Sequence, residues 1–428
     1  MISRYVSLAK ILSGNASAFL LGPRGTGKTS LVRAFRDLVE RSGGRALSID
    51  LLSLRTARRY EDDPGLFRSD ILFALGAEGS LLVVVDEVQK APYLLDEVHY
   101  LLEAFPGRIQ FLLTGSSARK LRRGGANLLA GRALSLALHP LSLLDIPPLD
   151  TPFSLERALQ FGTLPRYYLG EREPDETIAR LLDGYVETYL KEEIQAERLV
   201  RGLSPFHRFL EIAAQMNGQM VNFSAIARQL RVSDQTVRDY YTILLHTLLA
   251  FELPSWSRSV RRKLALASRF YLFDCGVINA ILGEQSIAPR AGTGRFGRLF
   301  EAFIVTEFFR QSDYLGTRRS LYGWRTQRGE YEVDILIDRG IREPPIGVEI
   351  KSSTEITIDD LTGLTALAAE FPSAPLYCIC RTERPYQLEV PERRSGGNGA
   401  QRELNVSVVP WESGVTEILM RAMLRGEE

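Results

Sequence analysis

The sequence predicts an α/β chain: a parallel sheet first, then a helical region with a helix-turn-helix, then a second α/β unit. Three observations carry this. Between 17 and about 145, short apolar runs (SAFLLG, RALSIDL, LLVVVDE, IQFLLTG) alternate with helical stretches. From about 153 to 273 helical patterns dominate, and from about 295 the strand-like runs EVDILI, IGVEIK and PLYCIC appear. The first set is too continuously apolar for one-sided strands, so it reads as parallel strands covered on both faces.

The chain has 428 residues, room for roughly two to four domains. Apolar content of 45% and charged content of 25% are those of an ordinary globular protein. A net charge of +1 gives no global field toward nucleic acid or membrane, so a local patch must meet any such partner. Three cysteines, Cys275, Cys378 and Cys380, are too few and uneven for a disulfide framework. The Cys378 and Cys380 pair lacks a second ligand pair, so both read as buried small residues. No run reaches the ~18 apolar residues of a spanning helix, so a cytoplasmic location without a membrane partner is expected. The proline-marked stretch LLDIPPLDTP (143–152) divides the first sheet from the helical region. The expected parts are 1–147, a helical lid at 148–215, a winged helix at 216–290, and a C-terminal domain at 291–428.

The loop after SAFLL reads Gly22-Pro23-Arg24-Gly25-Thr26-Gly27-Lys28-Thr29 and opens the helix SLVRAF. This is G-x-x-x-x-G-K-[ST] in its required strand-to-helix setting. The glycines let backbone N–H groups wrap phosphate oxygens, and the helix N-terminus adds positive charge. Gly22 through Ser30 are therefore the expected nucleotide contacts, with Lys28 on the β- and γ-phosphates and Thr29 on Mg²⁺. The run LLVVVDE ends in Asp86, a candidate for the Mg²⁺ shell, and Glu87, a candidate base for the attacking water. IQFLLTGSS ends in Thr114 and Ser116, which either sense the γ-phosphate or cap the next helix.

VNFSAIARQLRVSDQTVRDYYTILLHTLLAFELPSW reads as helix, turn, helix, strand. Ser224 is the expected cap of the first helix and Ser233 of the second. Val237, Tyr241, Leu244 and Leu245 should face inward, leaving Gln235, Thr236, Arg238 and Asp239 outside. The following hairpin should carry Arg258, Arg261, Arg262 and Lys263 at its tip, a wing able to neutralise DNA phosphates with steep salt dependence.

The stretch EYEVDILIDRGIREPPIGVEIKSS sets acids into two apolar strands. By strand alternation Asp334, Leu336 and Asp338 share one face, and Val333, Ile335 and Ile337 the other. Glu349 and Lys351 share a face of the next strand. If the strands pair, Asp334, Glu349 and Lys351 converge. Two carboxylates then bind Mg²⁺ or Mn²⁺, Lys351 serves an attacking hydroxide, and Glu301 on the helix GRLFEAFIVTEFF adds a third carboxylate.

GPRGTGKTSLVRAF, DEVQKAPYLLDEVHYLLE, LLTGSSARKL and LLAGRALSLALHPLSLLDI resemble predicted prokaryotic AAA+-like ATPases that carry a C-terminal domain of unknown function. The resemblance extends over nearly the whole chain and implies ATP as the nucleotide. It also implies that Arg119 or Arg132 is a candidate arginine finger in a homo-oligomer, with plain salt bridging as the alternative. GTLPRYY resembles the Gly-x-Pro element of lid domains, which would place Pro165 near the adenine and Arg166 near the phosphates. The acidic stretch resembles the PD-(D/E)xK nuclease fold. That likeness implies metal at Asp334 and Glu349, Lys351 on the nucleophile, and Glu301 at the helix position. The sequence thus predicts an ATP-hydrolysing protein whose nucleotide state controls a winged-helix and nuclease-like module on nucleic acid. The alternative is an ATP-dependent interaction protein on an inactive nuclease-like scaffold.

Overall fold

The computed structural model describes residues 4–12, 16–116, 129, 131–145, 153–169, 173–190, 203–257, 267–317, 320–326, 328–391 and 403–423. Arg119 and the wing residues Arg258, Arg261, Arg262 and Lys263 lie outside the described residues.

Five strands, β1 (Ser17–Leu21), β2 (Arg45–Asp50), β3 (Leu81–Asp86), β4 (Ile109–Gly115) and β5 (Ala133–Ala137), form a parallel sheet in the order β2-β3-β4-β1-β5. Residues alternate between two cores. Phe19, Val83, Val85 and Leu113 pack under the helices Gly65–Leu75 and Leu94–Ala104. Ala18, Leu20, Val84 and Leu112 pack against Val32 and Phe35 of the helix Lys28–Arg41. The expectation of strands covered on both faces holds for β1, β3 and β4. It fails for β2, which is largely exposed because it forms the sheet edge and carries Arg45, Ser48 and Asp50.

The helix-turn-helix is Phe223–Leu230 followed by Asp234–His246. The cap of the first helix lies two residues earlier than expected, at Asn222, whose side chain accepts from Ala225 N at 3.0 Å. Ser224 is therefore already helical, and its hydroxyl donates to Asp234 instead. Ser233 caps the second helix, accepting from Thr236 N at 3.1 Å. Val237, Tyr241 and Leu244 are buried, joined by Tyr240 and Ile243, while Leu245 is half-buried. The antiparallel hairpin β6 (Ala250–Leu253) and β7 (Arg269–Leu272) follows. One continuous core holds Phe161, Phe206, Tyr241, Tyr271, Phe300 and Val348, so helical region, hairpin and C-terminal unit pack without a solvent gap.

Six strands, β8 (Ser320–Arg325), β9 (Glu332–Asp338), β10 (Ile346–Ile350), β11 (Leu376–Cys380), β12 (Tyr386–Pro391) and β13 (Glu403–Pro410), form a mixed sheet in the order β12-β13-β11-β10-β9-β8. The helix Gly294–Tyr314 covers one face and Thr362–Glu370 the other. Cys275, Cys378 and Cys380 are free and buried, as expected. No helix among the described residues is long and apolar enough to cross a membrane.

The helix Thr362–Glu370 approaches β9 closely at Gly363, where an added Cβ would lie 1.9 Å from the Glu332 carbonyl oxygen. Backbone cannot yield as a side-chain tip does. Gly363→Ala is therefore expected to destabilise the fold by about 1–3 kcal/mol, read from the urea midpoint. An unchanged midpoint would show that the helix shifts freely.

Candidate functional sites

The loop 22–27 joins β1 to the helix Lys28–Arg41 at the carboxyl end of the parallel sheet. Gly25 and Gly27 have φ of 80° and 92°, conformations that a side chain strains. Gly22 passes so close to the chain after β5 that a Cβ would meet Leu138 O at 2.3 Å. Lys28 is buried, and its ammonium donates to Gly22 O at 2.7 Å and Pro23 O at 2.9 Å. Thr29 Oγ1 donates to Asp86 Oδ2 at 3.3 Å, which brings the two expected Mg²⁺ residues together. A cleft of about 350 Å³ beside the loop is lined by Arg4, Thr26, Gly27, Ser30, Leu31, Arg33 and Pro165. Pro165 lines this cleft, while Arg166 is exposed.

Neighbouring strands orient the two acids. Thr114, at the end of β4, donates from Oγ1 to Asp86 and accepts from Glu87 N at 3.2 Å. Glu87 is buried with φ of 59°. Gln89 donates to Glu87 Oε2 and to Ser116 Oγ, the latter at 3.0 Å. Thr114 therefore holds the segment of both acids directly, while Ser116 anchors Gln89. Arg132 forms an ion pair with Glu103 at 2.6 Å, the salt-bridging alternative.

Two residues here escaped the sequence reading. Gln89 belongs to the quoted DEVQKAP segment, but nothing in the pattern marks its amide. Arg4 precedes all the motifs, yet it donates to Thr26 O at 3.2 Å, His139 O at 2.6 Å and Tyr314 Oη at 3.1 Å. It thereby links the phosphate loop to the last residue of the helix Gly294–Tyr314. Tyr185, in a π-helical turn, also donates to Arg24 O at 3.1 Å.

The second site lies where β9 and β10 part. They pair antiparallel, with Val348 opposite Ile335. Beyond that pair the Asp334 carboxylate accepts the Ile350 N–H at 2.8 Å. The expected alternation of faces is broken. Between β8 and β9 a bulge makes Tyr322 pair with Leu336 but Trp324 with Val333. Val333 and Leu336 consequently share one core, and Ile335 and Ile337 the other. The extra residue in β9 releases Asp334 from strict alternation, a common use of bulges at sites.

Asp334, Glu349, Lys351 and Glu301 lie in one another's electrostatic field. Lys351 Nζ pairs with Glu349 Oε1 at 2.8 Å. The other oxygen, Glu349 Oε2, is buried without a hydrogen-bond partner. Burial, with the Asp334 charge second, pushes the Glu301 carboxyl up to about 7 and that of Glu349 to about 8. Burial also raises Asp334. Among the described residues no three His, Cys, Asp or Glu side chains stand as a ready metal-ligand set.

The hairpin adds two residues that the sequence reading missed. Arg269 on β7 donates to Glu332, and its NH1 stands 3.8 Å from Asp334 Oδ1. Tyr271 donates to Glu301 Oε1 at 2.9 Å. Burial opposes the Arg269 charge, but Tyr271, Asp334, Glu301 and Glu332 outweigh it and raise its pKa. The legible signal was an arginine opening the otherwise apolar run RFYLF.

Residues 15–146 match a family model described as an AAA domain. The N-terminal domain resembles AAA+ ATPases. Residues 153–287 and 296–393 match two families described only as domains of unknown function, DUF8612 and DUF4143. An uncharacterized protein of Mycobacterium tuberculosis is 26% identical over 339 residues, which are 79% of this chain and 71% of the relative. One from Haemophilus influenzae is 22% identical over 303 residues, 67% of this chain and 74% of the relative. Among solved structures, AMPPCP-bound DnaA from Aquifex aeolicus shares 16% identity with a TM-score of 0.29, covering 56% of this chain and 86% of DnaA. The S. cerevisiae Hsp104–ADP complex shares 10% with a TM-score of 0.27, covering 72% and 41%.

Proposed function

We propose that the chain binds and hydrolyses ATP with Mg²⁺, and that its nucleotide state governs a nucleic-acid-cleaving site at Glu301, Asp334, Glu349 and Lys351. The observation that carries the first half is the 3.3 Å contact between Thr29 and Asp86, made at the end of a parallel sheet beside a glycine-shaped loop. A hydroxyl and a carboxylate so placed fit Mg²⁺, and Lys28 and the loop amides fit phosphate. Glu87, oriented by Gln89, is the base for the attacking water.

The second half rests on the carboxylates around Asp334. One buried and two half-buried acids in one another's field, the buried Glu349 with an unpartnered oxygen, fit a hard divalent cation. Bound there, Mg²⁺ or Mn²⁺ would polarise a phosphodiester and supply a hydroxide near neutral pH. Glu301, Asp334 and Glu349 would hold the ion, and the Lys351 ammonium would orient the nucleophile. Arg4, between Thr26 and Tyr314, is a path by which the phosphate loop reaches this unit. DNA contact by the wing at Arg258, Arg261, Arg262 and Lys263 belongs to the same reading, as do the four parts at 1–147, 148–215, 216–290 and 291–428.

Incubation with plasmid and Mn²⁺, with and without ATP, tests this reading. ATP-dependent nicking is expected, lost in Asp334→Ala and Lys351→Ala while both variants stay folded. No nicking and no retention of DNA at low salt would favour a regulatory protein with an inactive nuclease-like scaffold.

A further inference from the structure

We propose that Arg269 is a built-in cation that keeps the carboxylate cluster closed to a divalent metal ion. This rests on the reading of the cluster as a cation site.

Arg269 and Tyr271 are two residues apart on β7 and so project from the same face of the strand. Both are buried, and together they engage two of the three acids. Arg269 reaches Asp334 and Glu332, and Tyr271 reaches Glu301. The third acid, Glu349, pairs through one oxygen with Lys351 and leaves Oε2 buried and unpartnered. A divalent ion needs the Glu301 lone pair that the Tyr271 phenol now takes and the Asp334 charge that the Arg269 guanidinium now balances from 3.8 Å. Guanidinium and metal therefore compete for the same negative charge, and the orphaned Glu349 oxygen is the ligand that the present arrangement leaves unused.

The hairpin is also fastened to the sheet that carries the acids. Trp256 N donates to Gly323 O at 2.8 Å, and Gly323 N donates to Pro254 O at 2.9 Å. The Trp256 ring meets Phe371 edge-on at 5.2 Å. Gly323 lies on β8, and a Cβ there would stand 3.8 Å from the Arg269 guanidinium. These contacts hold the hairpin strand, and with it Arg269, beside Asp334. Arg269 acts through the carboxylates and is a positioning residue.

Mn²⁺ titration of the full chain, without nucleic acid, tests the proposal by calorimetry and by melting temperature. Arg269→Gln is expected to melt lower than the parent without metal. It should bind Mn²⁺ about tenfold more tightly, and recover its melting temperature as Mn²⁺ is added. Adding Asp334→Asn should abolish both the gain and the recovery. Arg269→Lys, which keeps the charge but not the fork, should show a smaller gain, and it serves as the readout if the glutamine variant does not fold. Mn²⁺ affinity in the position-269 variants equal to or weaker than in the parent, with parent binding lost in Asp334→Asn, overturns the proposal and leaves the cation site standing. Absence of Mn²⁺ binding in parent and variants alike overturns both.

Discussion

Replacing Arg310 with alanine is expected to destabilise the chain by about 3–5 kcal/mol, read as a lower urea midpoint. Arg310 is among the largest fully buried side chains, and it ties four segments together. Its NH1 donates to Leu141 O at 2.9 Å, to Thr163 Oγ1 at 2.8 Å and to Glu307 Oε1 at 3.2 Å. NH2 donates to Phe273 O at 2.7 Å and stands 3.9 Å from Asp274. Leu141 follows the first sheet, Thr163 lies in the helical region, Phe273 follows the hairpin, and Arg310 and Glu307 belong to the helix Gly294–Tyr314. Alanine leaves two buried carboxylates without their cation, and that loss, more than the missing bonds, sets the magnitude. Glu307 retains Ser142 Oγ at 2.7 Å and Leu143 N at 2.9 Å, which offsets part of it. Arg310→Lys keeps a charge but lacks the planar fork that serves acceptors on several sides, so it should fall between alanine and the parent. A midpoint for Arg310→Ala within ~0.5 kcal/mol of the parent would show that water replaces the guanidinium there.

The hub also marks where sequence reading stops. Apolar runs made β1, β3 and β4 legible, because interior parallel strands are apolar on both faces. Glycine spacing and the strand-to-helix setting marked the phosphate loop, since backbone conformation there is dictated locally. Two-residue alternation found the neighbourhood of Asp334, Glu349 and Lys351, although the bulge in β9 changed which residues share a face. The edge-forming strands β8 (SLYGWR) and β12 (YQLEVP) carried no comparable signal. An edge strand need not be apolar, and glycine or proline interrupts both patterns. Arg4, Arg269, Tyr271 and Arg310 take their roles from partners distant in sequence, and no local period encodes such pairings. The clue they share is a buried charge or hydroxyl within an apolar segment, which demands a partner without naming it.

Glu87→Gln should lower the rate of ATP hydrolysis by about 10²–10⁴-fold while ATP still binds. The backbone at Glu87 has φ of 59° and ψ of 45°, so the turn after β3 is fixed before any substrate arrives. Thr114 Oγ1 accepts its N–H, and Gln89 donates to its carboxylate. A glutamine there can still accept from Gln89 through its carbonyl, so the turn and its neighbours should survive. It cannot take a proton from water, so only the chemical step should suffer. Lys28→Ala acts at another stage. It removes the charge proposed to meet the phosphates, and binding should fall along with turnover. The contrast between these two variants isolates the role of Glu87. Retained binding with slow turnover in Glu87→Gln assigns it the water, whereas parent-like turnover would move that role to another group near Asp86. In the slow variant ATP also persists in the cleft. If nucleotide state governs the acidic site, plasmid nicking by Glu87→Gln should then track ATP occupancy rather than ATP consumption.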